Sequence, residues 1–385
     1  CDLLDTVVGG GEGMGYPVGK IINIVGDKSS GKTFLACEII AAAYNKFGKK
    51  LKWSYDDGES GFSFDTRNLY GIEIMPMDDT KRIKSQNVED AYCNVREFAE
   101  NISDDEYGIY VIDSLDGIGS EEADKLADER FKAHKKKTEF KQGSYKMGKA
   151  KYLSQEFFPK LSDLLEKKNV LLIIISQVRT NVDPMSFEKF TRAGGKAMDF
   201  YCHTVLWLAN VNKIKKKDRA IGVTVKARAT KSKTPRPYRE IFFKLLFDYG
   251  LDNTATNLDF LFDFLTPTGA LEKDASAAWN TGETEISIVQ IKEFLQEANK
   301  EKYYRININP KLHKEEVIAW LNQEGNGRLL KKFNIKFSSK MKRDELIQYI
   351  EDNNLQNELK ERTLNKWESI ELSIKTNRKP KYQNH

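Results

Sequence analysis

The residues Gly26, Asp27, Lys28, Ser29, Ser30, Gly31, Lys32 and Thr33 have the types and spacing needed to grip a chain of phosphates. Glycines let such a loop wrap closely, so successive backbone N–H groups and the start of the following helix point at negative charge. In that pattern Lys32 reaches the β- and γ-phosphates of ATP, and the Thr33 hydroxyl ligates Mg²⁺. The motif carries weight only between a strand and a helix. Here the β-rich run KIINIV (20–25) precedes it and an alanine-rich helical stretch (32–47) follows. The metal also needs a carboxylate from a second strand, and Asp113 stands at the end of the apolar run YGIYVI. A base that orients an attacking water belongs after the strand that follows the loop's helix. Asp56, Asp57 and Glu59 of the DDGES turn all qualify, and chemistry alone does not separate them.

These residues need a sheet to hold them. Strands are expected at 51–55, 107–112, 170–176, 204–209, 221–230 and 240–248, with helices at 32–47, 89–102 and 151–168. Strands alternating with helices imply an α/β domain over 1–265, its central sheet mostly parallel and flanked by helices on both faces. After Thr266 the texture changes. A turn-rich stretch, PTGALEKDASAAWNTGETE, leads into charged helical segments at 287–298, 313–324 and 342–353. They predict a small helical C-terminal domain over 266–385, ending in a polar, basic and frayed tail.

At 385 residues the chain is long enough for one large α/β domain and a smaller one. Its net charge of +5 is a mild lean toward polyanions. The four cysteines form no CxxC pair, which suits a reducing compartment and argues against a disulfide framework or a zinc site. His134, His203, His313 and His385 show no ligand spacing. The longest apolar run, 170–175, is too short to span a bilayer, and no signal peptide is visible. A cytoplasmic protein without membrane partners is the expectation. The chain opens at Cys1 almost inside a structured pattern, which suggests missing N-terminal residues.

With these pieces placed, the sequence resembles the RecA family of strand-exchange recombinases. GDKSSGKT is close to the family's P-loop, and LLDTVVGGGEGMGYPVGKI resembles its lead-in. DDGES resembles the segment carrying the catalytic glutamate, which falls on Glu59. VIDSLDGI resembles the strand that supplies the metal carboxylate, placing Asp113 and Ser114. KMGKAKYLSQEFFPKLSDLLEKKNVLLIIISQVR resembles the helix and strand after the first DNA-binding loop, with Gln177 at the position of the γ-phosphate sensor. AGGKAMDFY matches the close of the second DNA-binding loop. ATKSKTPRPY matches the strand whose lysines, here Lys231 and Lys233, act on the ATP of the neighbouring subunit. From 147 to 238 this register needs no gap.

The resemblance implies two segments that face DNA. The first lies between 114 and 147 and carries Lys132, Lys135, Lys136, Lys137, Lys141 and Lys146 interleaved with Phe131, Phe140 and Tyr145. That mixture suits phosphate neutralisation with some stacking. It is longer than bacterial members lead one to expect. The second, 179–193, lies between the sensor and the Gly194-Gly195 pair. The family binds single-stranded DNA there, with Val182 and Met185 as wedges between base triplets and Arg179 and Arg192 on phosphates.

The reading is an ATP- and Mg²⁺-dependent recombinase that binds single-stranded and duplex DNA. It would assemble as a helical homo-oligomer with ATP between subunits. A hexameric helicase or branch-migration motor on the same core is one alternative, and an ATP-gated signalling or scaffold protein is another. The lysine- and asparagine-rich composition and the basic tail suit a virus-encoded member.

Overall fold

The computed structural model describes residues 1–10, 15–77, 84–138, 148–180, 190–192, 194–234, 237–261, 343–352 and 354–374. They fall into two compact units, Cys1–Asp252 and Asn253–His385. In the first unit the apolar runs become strands β1 (Ile21–Gly26), β2 (Leu51–Asp57), β3 (Tyr107–Asp113), β4 (Val170–Thr180), β5 (Phe190–Arg192), β6 (Thr204–Lys216), β7 (Arg219–Ser232), β8 (Glu240–Leu246) and β9 (Gly250–Asp252).

The sheet order is β2-β3-β4-β1-β6-β7-β8-β9, with β5 paired to β4 off this path. From β2 to β6 all neighbours are parallel, and from β6 onward they are antiparallel. Central parallel strands are covered on both faces, which is why VLLIII in β4 is an unbroken apolar run rather than an alternating one. The fold is therefore α/β with a mostly parallel core, as the sequence predicts.

The first unit's helices are α1 (Asp2–Gly9), α2 (Lys32–Phe47), α3 (Thr66–Tyr70), α4 (Val88–Glu100), α5 (Glu121–Lys135), α6 (Gly148–Tyr152), α7 (Phe158–Lys167) and α8 (Gly195–Tyr201). α4 starts where Asn87 Oδ1 accepts from Asp90 N at 2.9 Å, with Glu89 and Asp90 in the first turn to meet the helix dipole. Its apolar stripe (Val88, Ala91, Val95, Phe98, Ala99) packs with Phe157, Leu161 and Leu165 against Tyr110, Ile112, Leu172 and Ile174 of the sheet. Burying each such side chain is worth about 1.5–3 kcal/mol, so this layer holds the strand ends in fixed register.

Three elements exceed what the sequence suggests. The β6–β7 hairpin runs several residues past the expected strands and turns at Lys217 and Asp218, both at positive φ, as a tight hairpin of this twist requires. Past Leu208, β6 leaves β1 and pairs with β7, so the polar Asn210, Asn212 and Lys213 carry no apolar signal. α1 uses Leu3, Leu4, Val7 and Val8 as a buried face. α5 forms inside the expected first loop, started by Ser120 Oγ accepting from Ala123 N at 3.4 Å, and none of its side chains is buried.

In the second unit, α9 (Asn253–Leu261), α10 (Arg343–Asp352) and α11 (Gln356–Ser373) are helical. Lys366 Nζ donates to Phe260 O and Leu261 O, both at 3.0 Å, satisfying carbonyls at the end of α9. α10 is the helix expected at 342–353. The helices expected at 287–298 and 313–324 lie outside the described residues. Among the described residues no helix is long and apolar enough to cross a membrane.

Candidate active site

β1 is the point where the chain's crossovers change direction, with β4 on one side and β6 on the other. Ligands of open parallel sheets sit outside the carboxyl ends of strands at such a point. The loop 26–33 leaves the sheet there. Gly26 is level with Gln177 of β4 and Leu208 of β6, and a Cβ on it would lie 2.8 Å from Leu208 O. Ser29 and Gly31 take φ of 60° and 84°, which turns successive N–H groups inward ahead of α2. Lys32 Nζ donates to Gly26 O at 3.0 Å and to Asp27 O at 2.8 Å. Burial lowers its pKa, while the charge of Asp113, and then of Glu59, works the other way.

The opposite wall is built on Asp113. Its Oδ2 accepts from Thr33 Oγ1 at 2.8 Å and from Tyr55 OH at 2.6 Å. Burial pushes this carboxyl up. The Tyr55 and Thr33 hydrogen bonds pull it down, and the nearby Glu59 and Asp57 add to the rise. Burial, with the Asp113 charge behind it, holds the Tyr55 proton in place, so Tyr55 acts as a donor. ATP with Mg²⁺ fits these residues. The buried Ser30 Oγ has no hydrogen-bond partner, the loop presents inward amides, and Thr33 with Asp113 is a hard oxygen pair suited to Mg²⁺.

Strand parity and side-chain partners place the three acids differently. Asp56 points to the far face. It is buried and held by Ser85 N at 3.2 Å, by Ser85 Oγ, and by Tyr110 OH at 3.1 Å; burial raises its pKa against those bonds. Asp57 accepts from Phe62 N at 2.9 Å and so shapes the turn. Glu59 faces the loop. Its Oε1 accepts from Ser114 Oγ and, at 2.7 Å, from Gln177 Nε2.

Gln177 begins the exit of β4 toward the second expected DNA segment. Beyond it β4 and β5 form a short antiparallel ribbon, Val178 opposite Arg192, Arg179 opposite Thr191 and Thr180 opposite Phe190. Arg179 pairs with Asp116 at 2.6 Å, and Arg192 with Asp199 at 2.6 Å. Gly194 takes φ 91° before α8, where a Cβ would crowd Met198 Sδ at 3.2 Å. Gly195 opens α8.

Lys231 donates to Asp199 O and, at 2.9 Å, to Phe200 O, and burial lowers its pKa. It is level with Val205, which is level with Asn23, three residues before Gly26. At about 3.3 Å per residue this sets Lys231 roughly 10 Å toward the amino-terminal end of β1. Lys233, exposed and bonded through its N–H to His203 O, lies farther still. Neither lysine is placed to serve the loop of its own chain.

In the first segment Lys135 Nζ lies 4.6 Å over the exposed Phe131 ring, Lys136 caps α5, and Lys137 takes φ 51°. Lys146, Val182 and Met185 lie outside the described residues. Two residues of the site are not among those to which the sequence assigns a role. Tyr55 shares the face of Asp57 by strand alternation, and Asp116 sits one turn past Asp113.

Residues 130–252 match the family model of the RecA N-terminal domain. That span includes β4 with Gln177, the β4–β5 ribbon, α8, Lys231 of β7 and Lys233 just past it. Among solved structures, the crystal structure of the RadB recombinase is similar at 17% identity and a TM-score of 0.40, covering 62% of this chain and 92% of that one. Over 130–252 the chain is thus similar to the RecA N-terminal domain, and the phosphate loop with its paired carboxylate is built into the same sheet as that span.

Proposed function

We propose that this chain is an ATP-dependent recombinase that binds single-stranded DNA, assembles as a helical filament and promotes pairing and strand exchange. The observation that carries the reading is the contact between Glu59 and Gln177 at 2.7 Å. It ties the acid at the phosphate loop to the strand that feeds the segment 179–193. Thr33 and Asp113 would hold Mg²⁺, which would supply positive charge to offset that of the phosphates. Lys32 and the loop amides bind and orient the phosphates, Glu59 aligns water, and Gln177 reports the γ-phosphate to β4.

Lys231 of β7 and Lys233 just past it support an interface role. They are remote from their own loop, and beside them Phe200 is 72% exposed on α8. In a head-to-tail assembly each chain presents this face to the next chain's loop. Lys231 and Lys233 then stabilise charge on the neighbour's transferring phosphate. Arg179, Arg192 and the lysines of the 114–147 segment meet phosphates of the DNA.

Electron microscopy of the protein with ATP and single-stranded DNA tests this reading. Helical filaments support it. Closed rings favour a motor, and assembly indifferent to DNA favours a scaffold.

A further inference from the structure

Asp116 lies in the segment VIDSLDGI without a role of its own there, yet it joins the sensor strand to a candidate DNA arginine. It lies in the tight turn after β3, where Leu115 N donates to Ile175 O and Gly117 N to Ser114 O, each at 3.0 Å. Lys149 Nζ holds that turn from outside by donating to Leu115 O and, at 2.7 Å, to Ile118 O. The Asp116 side chain is only 7% exposed and divides its two oxygens between two neighbours. Oδ2 accepts from the backbone N–H of Gln177 at 2.8 Å, and Oδ1 from Arg179 at 2.6 Å. The guanidinium is 57% exposed, so its outer edge faces water while its inner edge is spent on the carboxylate.

The geometry points to Asp116 as a positioning residue that latches Arg179 away from DNA phosphate and ties that latch to the sensor strand. The inference rests on the proposed single-strand contact of Arg179. A phosphate that takes the inner edge must displace Asp116, because one guanidinium edge cannot serve both partners at full strength, and one that takes the outer edge meets the Asp116 charge behind it. Displacement leaves a nearly buried carboxylate, offset only in part by the charges of Lys149 and Lys32, close to the incoming polyanion. Both effects oppose binding. Because the same carboxylate holds the Gln177 N–H, a shift of Gln177 at Glu59 loosens the grip on Arg179. The path from the candidate base to the DNA arginine thus runs Glu59, Gln177, Asp116, Arg179, with every link a direct hydrogen bond.

The test is the affinity of the full chain for a fluorescent oligo-deoxythymidine without nucleotide, in the parent, Asp116→Asn, Arg179→Ala and the double variant. Asp116→Asn keeps an acceptor for Gln177 and removes the charge on Arg179. It should tighten binding about fivefold, the worth of a partly exposed ion pair. Arg179→Ala should weaken binding, and in that background Asp116→Asn should change nothing. A gain that persists without Arg179 means a through-space charge effect and overturns the latch. So does weaker or unchanged binding by Asp116→Asn. Failure of the parent to bind the oligonucleotide, or indifference to Arg179→Ala, overturns the underlying reading of Arg179 instead. Asp116→Ser, run in parallel with thermal unfolding, separates loss of the carboxylate from loss of fold.

Discussion

Gln177 and Gly26 are register partners on adjacent parallel strands, so the side chain that touches Glu59 and the first residue of the phosphate loop leave the sheet at the same level. Few geometries link two segments so rigidly. A displacement of one strand end is felt by the other through the ladder itself.

Gln177→Ala removes the Glu59 contact while leaving β4 intact. Gln177 is exposed, so stability should stay within about 0.5 kcal/mol of the parent. A fluorescent ATP analogue should bind as before, and single-strand affinity should no longer rise on adding ATP. Undiminished tightening would refute the sensor role.

Glu59→Gln keeps acceptors for Ser114 and Gln177 but cannot align water as an anion. Turnover should fall by about 10²- to 10⁴-fold with nucleotide affinity retained. Single-turnover phosphate release measures the first quantity and equilibrium binding the second. A modest loss would return the role to Asp57.

Asp113→Asn should stabilise the nucleotide-free protein at neutral pH. Burial raises the Asp113 pKa in the fold above its unfolded value. Such a group favours the fold fully below the unfolded pKa, and that benefit is lost as pH rises through the folded one. Neutral Asn retains the benefit throughout. The variant's unfolding temperature should exceed the parent's at pH 7, and the gap should close as pH falls toward about 3.9. Calorimetry across pH reads this directly; a gap that widens in acid contradicts it. The same variant should lose Mg²⁺-dependent nucleotide binding.

Mixing Lys32→Ala with Lys233→Ala protein tests action between chains. Neither should turn over ATP alone. In a head-to-tail assembly with random order, about a quarter of the interfaces join an intact loop to an intact lysine. Partial recovery of ATPase in the mixture is expected. A flat response would remove Lys233 from the neighbour's site.

Much of this arrangement was legible in the sequence because its signals are local. The loop 26–33, the apolar runs ending at Asp113 and Ser176, and the capped α4 each announce themselves within a few residues. Residue chemistry alone did not choose among Asp56, Asp57 and Glu59, and the resemblance pointed to Glu59, because the choice depends on which face of β2 meets Tyr110 and which meets the loop. Asp116 was hidden for a similar reason, as its partners lie some sixty positions along the chain. α5 escaped notice because a helix that buries nothing has no need of an apolar stripe.

Three of the cradle's polar side chains already have partners inside the protein. Lys32 ends on the carbonyls of Gly26 and Asp27, Thr33 on Asp113, and Gln177 on Glu59. Nucleotide capture is consequently an exchange reaction: each new bond to phosphate replaces an internal one, and the net gain per bond is only about 0.5–1.5 kcal/mol. Affinity then becomes a small difference between two well-bonded arrangements. A site built this way is easily biased from outside, because a neighbour or a bound strand need shift only one of those internal bonds to change how long the nucleotide stays.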